Sequence, residues 1–480
     1  MADREKHAAK KSPEATPLLQ KTTTIISARE CSQHQQLLQC FLNLKQTVSR
    51  TTGLFETEYV HEFKNLDPIA RQSAVEERRW SIYVSRAIHR FSVWWAHLPA
   101  VATGPGLSSS SEKLYGQHGG WTWTTDWMPP LDILMVFHAL TLYTKAFWED
   151  CFRHQKMGVW NEGFPLQLAS QCIDPGSLTY SCPASCRLHF EDMTKLAWDN
   201  HDDSEILSIE CFRCLKQTDV PWTTRRGKGL ADNGFLQLCQ WCKFTLRRDA
   251  LIVQKLRRDL QLLFEGNVPL PGTCWSIEDG HGILTSNKPT NELVRQLPVE
   301  KLLEEVRPTN LFPDMTLIIE ASAKAVGSQS LPMLHDIFEH YQYTGNSSCD
   351  LHAAVIRMSN STSIIQNIDW ADSELYLQTE SRYINFLQGH NKWLLSRRHN
   401  LLNLDLMDPL VMFWSTHLLV PRSYCDFFRH FGNGKLVDLE PPHDSATCNL
   451  CHTLCPLSFA RRLLRGFTSL SEWKDWLSTV

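Results

Sequence analysis

The amino-acid sequence predicts a mainly α-helical protein in which two related helical domains are joined by a small zinc-knuckle module and a mixed α+β linker region. Apolar residues recur at three- and four-residue steps over long stretches, which is typical of amphipathic helices. One dense apolar segment has a degenerate second copy near the C-terminal end. Two Cys-x-x-Cys pairs lie between the two copies. The helical period, the repeat and the cysteine pairs together define this architecture.

Length and composition indicate a folded protein of several domains. A chain of 480 residues is too long for one compact core. Its 42% hydrophobic and 21% charged content excludes a largely disordered chain. A net charge of −4 excludes a global positive field that would attract nucleic acid.

The N-terminus and the cysteines predict a soluble protein of the cytoplasm or nucleus. The N-terminal residues contain no apolar signal-peptide core. The 16 cysteines cluster in pairs and are not spread as in a disulfide framework, which favours reduced thiols. The most apolar segment, 133–144, is interrupted by His138 and flanked by Asp132 and Lys145, so we expect no membrane span and no membrane partner.

The first predicted helix follows a polar tail. Residues 1–28 are predicted to be disordered. Within residues 76–98 the apolar side chains share one helix face, and Pro99 ends the helix. This face comprises Trp80, Val84, Ala87, Ile88, Phe91, Trp94 and Trp95.

A second helix is predicted within residues 127–154. Pro129 and Pro130 suit its first turn, and its apolar density predicts an almost fully buried helix. Residues 403–444 resemble this segment, and we interpret them as a degenerate internal repeat. The coinciding pairs are Met135/Met412, Phe137/Trp414, Leu142/Leu419 and Phe147/Tyr424.

Cys211, Cys214, Cys239 and Cys242 predict one structural Zn²⁺ site. The two pairs are separated by 24 residues, and each places two sulfurs on the same side of a tight turn. Four thiolates leave no open coordination position, so the metal is expected to hold structure and not to activate water. The alternative is four buried thiols without metal. Zinc is favoured because its binding would add folding free energy to a small segment.

Together these segments resemble one family, the fungal branch of the glycine-rich-domain-containing-protein-like family, whose core is a domain of unknown function. The resemblance covers residues from about 35 to about 460. It depends on PPLDILMVFH, on FWSTHLLVPRSY, on the cysteine pairs with PWTT between them, and on PLPGT. It implies a fold and a domain layout, and it brings no established reaction.

The family has a repeated motif with a pair of histidines, and each copy in this chain keeps one of them. The motif is roughly Leu-Asp-x-x-x-x-Trp-His-x-His-x-Leu-x-Pro-x-x-Tyr. The first copy keeps Leu131, Asp132, His138 and Leu142, with Leu140 at the second histidine position. The second copy keeps Trp414, His417, Leu419, Pro421 and Tyr424, with Ser415 at the first histidine position. His138 and His417 are therefore either the remnant of a pocket between the repeats or core histidines with hydrogen-bond partners.

Two further groups have alternative interpretations. The first is a C-terminal group of histidines and cysteines: His443, Cys448, Cys451, His452 and Cys455. It is either a second metal site or a surface loop with some buried thiols. A basic run favours either phosphate contacts or a solvated helix face. Residues 205–258 contain 11 Lys/Arg and 5 Asp/Glu, and the candidate nucleic-acid residues among them are Arg225, Arg226, Lys228, Arg247 and Arg248.

No catalytic residue can be assigned from sequence, since the common nucleophile, phosphate-loop, metalloprotease and dinucleotide motifs are missing. The predicted domains are helical repeat domains at 30–200 and 345–480, a zinc-knuckle module at 205–250, and a linker at 251–344. A helix predicted at 244–264 runs from the module into the linker, and a strand is predicted at 315–322. The leading hypothesis is a scaffold that binds another protein. The alternatives are a nucleic-acid-associated factor and an enzyme with a site between the repeats.

Overall fold

A computed structural model describes residues 25–100, 121–266, 268–272, 337, 340–341, 343–361, 368–396 and 407–431. The mainly α-helical class is confirmed, with two small antiparallel sheets. The helices are α1 Ala28–Arg50, α2 Pro68–His97, α3 Leu131–Thr141, α4 Thr144–Arg153, α5 Met157–Glu162, α6 Leu166–Gln171, α7 Ala184–Thr194, α8 Arg248–Gly266, α9 Leu351–Ser361, α10 Ser373–Ser396, α11 Met407–Leu418 and α12 Pro421–Phe431. Short 3-10 turns are Leu54–Tyr59, His61–Phe63, Thr125–Trp127 and Asn200–Asp202.

Helix α1 begins at Ala28, the last residue of the predicted N-terminal tail. Ser27 caps the helix by accepting a hydrogen bond from the Glu30 backbone N–H, and the Glu30 carboxylate accepts one from the Ser27 backbone. Ile26 is buried against the core. The capping box was the sequence signal that identifies this helix start.

Helix α2 begins eight residues before the predicted start. The Asp67 carboxylate accepts from the backbone N–H groups of Ile69 and Ala70, and Pro68 occupies the first turn. Its apolar face is buried as predicted, except that Ile88 is only half-buried. The same helix also buries Arg79, Arg86 and Arg90, which the apolar pattern alone did not indicate.

Both copies of the predicted repeat form two helices separated by two residues. Helices α3 and α4 are joined by Leu142 and Tyr143. Helices α11 and α12 are joined by Leu419 and Val420. The repeat therefore has the same secondary structure in both copies, although most side chains differ.

The ranges predicted as two helical domains contribute to one hydrophobic core. Helix α3 packs against α2 and α9, while α1 contacts α11. Phe137 of the first copy and Trp414 of the second belong to the same buried cluster. At Gly163, with φ +70°, a Cβ atom would lie 2.6 Å from the Leu419 carbonyl oxygen, and the next residue, Phe164, donates its backbone N–H to that oxygen at 2.9 Å. Described residues of both ranges thus form a single helical body.

Residues 206–247 form a separate β unit with a core of its own. Strands β1 Ile206–Glu210 and β2 Gln217–Pro221 pair antiparallel, as do β3 Leu236–Leu238 and β4 Thr245–Arg247. The second core includes Phe212, Val220, Phe244 and Leu246, together with residues of α8. We call residues 206–247 the ribbon.

Helix α8 confirms the helix predicted after the second cysteine pair, with a later start. Residues 245–247 pair with β3 before the helix begins at Arg248, because the second cysteine turn closes a hairpin. The strand predicted at 315–322 lies outside the described residues. Among the described helices, none combines the length and the apolar character needed to cross a membrane.

Candidate metal centre

Each hairpin of the ribbon places one cysteine pair at its turn. Cys211 and Cys214 lie between β1 and β2, and Cys239 and Cys242 lie between β3 and β4. Short strands with three to five residues define the direction of both turns. The hairpins are the reason that two pairs distant in sequence meet.

The first turn is held by two backbone hydrogen bonds to one cysteine. Cys211 donates its N–H to the Lys216 carbonyl oxygen at 2.9 Å, and Leu215 donates to the Cys211 carbonyl oxygen at 2.9 Å. Leu215 has φ +58°, a left-handed conformation that non-glycine residues rarely adopt. This backbone turns both thiols of the pair to the same side.

The second turn repeats this geometry. Cys239 donates to the Phe244 carbonyl oxygen at 2.8 Å, and Lys243 donates to the Cys239 carbonyl oxygen at 3.1 Å. Lys243 also has φ +58°. The same unusual backbone at two separate turns indicates a common requirement, which is the presentation of two sulfurs.

The four sulfurs meet with the spacing of a tetrahedral metal site. Cys211 Sγ lies 3.7 Å from Cys242 Sγ, and Cys214 Sγ lies 3.7 Å from Cys239 Sγ. All four sulfurs lie within 4.8 Å of one another. Zn–S bonds of about 2.3 Å in a tetrahedron leave about 3.8 Å between sulfurs. A disulfide would need about 2.05 Å, so these thiols are not bonded to each other.

The surroundings of Cys239 favour a thiolate. Burial opposes ionisation of this thiol, but the N–H groups of Cys242 and Trp241 and the Thr218 hydroxyl lower its pKa to about 6. Thr218 Oγ1 donates to the sulfur at 3.2 Å, and the Trp241 backbone N–H does so at 3.4 Å. Burial raises the pKa of Cys211 to about 12, so without a metal only part of this set would be ionised. A cation at the centre would stabilise all four thiolates.

The loop between the hairpins attaches the ribbon to helix α2. The buried Asp232 carboxylate accepts from the Thr223 hydroxyl at 2.8 Å and from the Gly229 backbone at 2.7 Å. Arg78 of α2 forms an ion pair with the same carboxylate at 2.6 Å. A Cβ at Gly229 would lie 2.4 Å from the Thr223 Cα, so the loop closes only with glycine there.

Helix α8 attaches the ribbon to helix α4 at a second place. The Arg153 guanidinium of α4 forms an ion pair with Asp259 of α8 at 3.2 Å. Lys255 of α8 is buried and donates to the carbonyl oxygens of His340 and Ser347 at 3.0 and 3.3 Å. The loop between the hairpins and the helix that follows the ribbon are therefore both fixed to the helical body through charged groups.

Three of the five predicted basic residues already have a partner within the protein. The group comprises Arg225, Arg226, Lys228, Arg247 and Arg248. Arg225 forms an ion pair with Glu56 at 3.0 Å, and Arg247 contacts the Asp249 carboxylate. Arg248 donates to a backbone carbonyl at 3.3 Å. Arg225 and Arg248 are nevertheless exposed, as are the remaining two residues of the group.

His138 is buried and lies next to a histidine that the sequence did not single out. Its Nε2 is 2.7 Å from Nε2 of His34 in α1, and His34 Nδ1 is 2.9 Å from Thr416 Oγ1. The Thr416 hydroxyl donates to the Met412 carbonyl oxygen, and His138 Nδ1 lies 2.9 Å from Met358 Sδ. Cys31, His34, Leu38 and Phe41 lie on one face of α1, so its apolar period was the only signal for His34.

His417 is buried beside a tyrosine and not beside His138. The Tyr383 hydroxyl lies 2.9 Å from His417 Nδ1. In the part of the chain that the structure describes, no hydrogen bond or ring contact joins His138 to His417. Both are core histidines with polar partners. The link between the two repeat copies passes through His34 and Thr416.

Burial keeps these histidines neutral, which predicts acid sensitivity. Burial lowers the pKa of His138 and of His417 to about 3, and burial and His138 hold the pKa of His34 well below its usual range. As pH falls below about 6.5, the unfolded chain gains protons that the folded chain does not, so the free energy of unfolding decreases down to about pH 3. Each histidine contributes about 1.4 kcal/mol of this decrease between pH 7.5 and 5.5.

Urea denaturation at these two pH values tests the effect. His417→Gln should lose about 1.4 kcal/mol less than the wild type between pH 7.5 and 5.5. His201→Gln, at an exposed histidine, is the matched control and should behave as the wild type. An unchanged pH difference in His417→Gln would contradict the assignment of a neutral buried histidine.

The residues of the second predicted metal site, His443, Cys448, Cys451, His452 and Cys455, lie outside the described residues. Among the residues that are described, the group of Cys211, Cys214, Cys239 and Cys242 is the only set of three or more such ligands within 4.8 Å.

No protein-family model, curated protein or solved structure matches the chain.

Proposed function

We propose that the four cysteines bind one structural Zn²⁺ and that the protein is a non-enzymatic scaffold, in which the metal-bound ribbon is held in a fixed orientation on the helical body for recognition by another protein. The observation on which this depends is the convergence of Cys211, Cys214, Cys239 and Cys242 within 4.8 Å. Zinc suits an all-thiolate tetrahedral set better than magnesium or calcium, which prefer oxygen ligands.

A scaffold accounts for the arrangement better than a catalytic role at this site. Four protein ligands leave no position for water or substrate on the metal. Two ion pairs, Arg78–Asp232 and Arg153–Asp259, connect the ribbon and α8 to different helices of the body. A rigid attachment of this kind reduces the conformational entropy lost when a partner binds.

The setting that suits this site is a reducing compartment, the cytoplasm or the nucleus. Zinc thiolates and free thiols persist where disulfides are kept reduced. The motif resemblance to the glycine-rich-domain-containing-protein-like family remains part of the proposal. That resemblance implies a fold and a domain layout and no particular reaction.

Elemental analysis and hydrogen exchange test the metal. The purified chain should contain about one Zn²⁺ per molecule. Removing it with a chelator should increase amide exchange at Leu215 and Lys243, whose N–H groups hold the two cysteine turns. Exchange in α3 and α11 should stay slow because they belong to the other core. A metal-free chain with the same protection at both turns would refute the proposal.

Affinity purification tests the scaffold. The wild-type chain should retain a protein in fixed stoichiometry, and the chelated chain should release it. A chain that binds zinc but retains no protein at physiological salt would support the structural metal site and refute the scaffold function.

A further inference from the structure

We infer that the end of the ribbon formed by the two cysteine turns, residues 211–216 and 239–244, binds single-stranded nucleic acid. This inference rests on the proposed zinc-bound fold. We call these residues the knuckle end. They contain an exposed tryptophan, Trp241, whose side chain is 58% accessible, and three exposed cations, Arg213, Lys216 and Lys243.

Trp241 is held in place although it is exposed. Its indole Nε1–H donates to the Gln217 carbonyl oxygen at 2.8 Å, and its backbone N–H donates to Cys239 Sγ at 3.4 Å. Lys216 Nζ lies 5.0 Å from the centre of the ring. An aromatic ring that is already oriented loses little freedom when a base stacks on it. The lysine ammonium lies over one face of the ring, so a base would stack on the opposite face.

The charge of the knuckle end favours a polyanion at short range. Neither turn contains an acidic residue. The three cations contribute +3, and Zn²⁺ with four thiolates contributes about −2, which leaves about +1. Long-range attraction is therefore small, and base stacking has to supply most of the affinity. Stacking requires an exposed base face, so single strands are favoured over duplexes.

Two apolar side chains are also exposed in or beside the cysteine turns. Leu215 in the first turn and Leu238 just before the second are both largely exposed. A partner protein of apolar character is the competing occupant. Lys216 and Lys243 argue against it, because lysine is depleted at protein interfaces.

The knuckle end differs in its ion pairing from the basic loop of residues 225–228. The loop with Arg225 is docked on the helical body: its carbonyl oxygen accepts from the His61 backbone at 3.1 Å and its side chain pairs with Glu56. The cations of the knuckle end form no ion pair in the described residues. Its cations, which have no carboxylate partner among the described residues, and its aromatic ring lie in the same two turns.

Fluorescence anisotropy with the zinc-loaded full chain tests the inference. The probes are a labelled oligouridine and oligothymidine of about 12 nucleotides and a duplex of equal length. Both single strands should bind at about 50 mM salt, at least about tenfold tighter than the duplex. Three phosphate contacts predict a slope of about −2 for log K against log salt concentration.

Substitutions locate the site. Trp241→Ala should weaken binding about tenfold or more, whereas Trp241→Phe keeps a stacking face and should retain most of the affinity. Lys243→Ala should reduce the salt slope by about 0.7. Arg226→Ala and Tyr59→Ala are matched controls, since both side chains are exposed near the docked loop, and binding should not change.

Three results would overturn the inference: no binding of either single strand at low salt, equal binding of the duplex, or loss of binding in the control variants but not in Trp241→Ala. Zinc content and circular dichroism of each variant distinguish lost contacts from lost fold. A chain without zinc would refute the proposed function and this inference together. A zinc-loaded chain that binds no oligonucleotide would refute this inference alone.

Discussion

Cys239→Ser should release the zinc and unfold the ribbon. A serine hydroxyl stays protonated at neutral pH and is a poor zinc ligand, so the remaining three thiols cannot close the site. Metal-binding free energy on the order of 10 kcal/mol is then no longer available to the ribbon core. Elemental analysis should show almost no zinc. Amide exchange should become fast in the ribbon strands and in α8, which share that core.

Cys182→Ser is the matched control for the cysteine substitution. Cys182 is a partly exposed thiol outside the four-sulfur cluster. Zinc content and ribbon protection should remain those of the wild type. Full zinc content in Cys239→Ser would show that this sulfur is not a ligand and would refute the proposed four-cysteine site.

Arg90→Met should destabilise the helical body by about 3–5 kcal/mol, the usual cost of leaving a buried charge without its partner. Arg90 is 1% exposed and pairs with the buried Asp132 carboxylate at 2.7 Å. It also contacts Asp203 and donates to the carbonyl oxygens of Ala197 and Trp198 at 2.8 and 2.7 Å. Methionine keeps much of the volume but satisfies none of these acceptors.

Urea denaturation measures the effect, with two comparison variants. Arg187→Met removes an exposed ion pair with Glu191, one turn apart on α7, and should cost about 0.5 kcal/mol or less. Arg90→Met combined with Asp132→Leu removes both charges and should be less harmful than the sum of the single changes. A loss below about 1 kcal/mol in Arg90→Met would show that Asp132 is satisfied without the arginine.

The ion pair with Arg90 gives a structural role to Asp132, the aspartate of the repeat motif. Asp132 lies in the first turn of α3, where a carboxylate is also favoured by the helix dipole. Asn200 donates to the same carboxylate at 2.8 Å. In the second copy the corresponding position is Pro409, so this network belongs to the first copy alone.

The helical class, the buried face of α2 and the four-cysteine cluster were predicted because each depends on local spacing. A period of three to four residues specifies one face of a helix wherever the helix packs. Cysteine pairs two residues apart present their sulfurs together on any tight turn. The ribbon strands were missed because three to five residues are too short to show a period of two.

The sequence by itself determined that α3 and α11 would be apolar helices of similar form, and that Cys211 and Cys239 would head two thiol turns. Only the tertiary structure decided that both helix pairs share one core, that His34 joins His138 to Thr416, and that the ribbon leaves Trp241 in solvent. The physical reason is the distance along the chain over which each interaction acts. Helical period and turn geometry depend on neighbours along the chain, whereas burial and hydrogen-bond partners depend on which distant segments the whole core brings together.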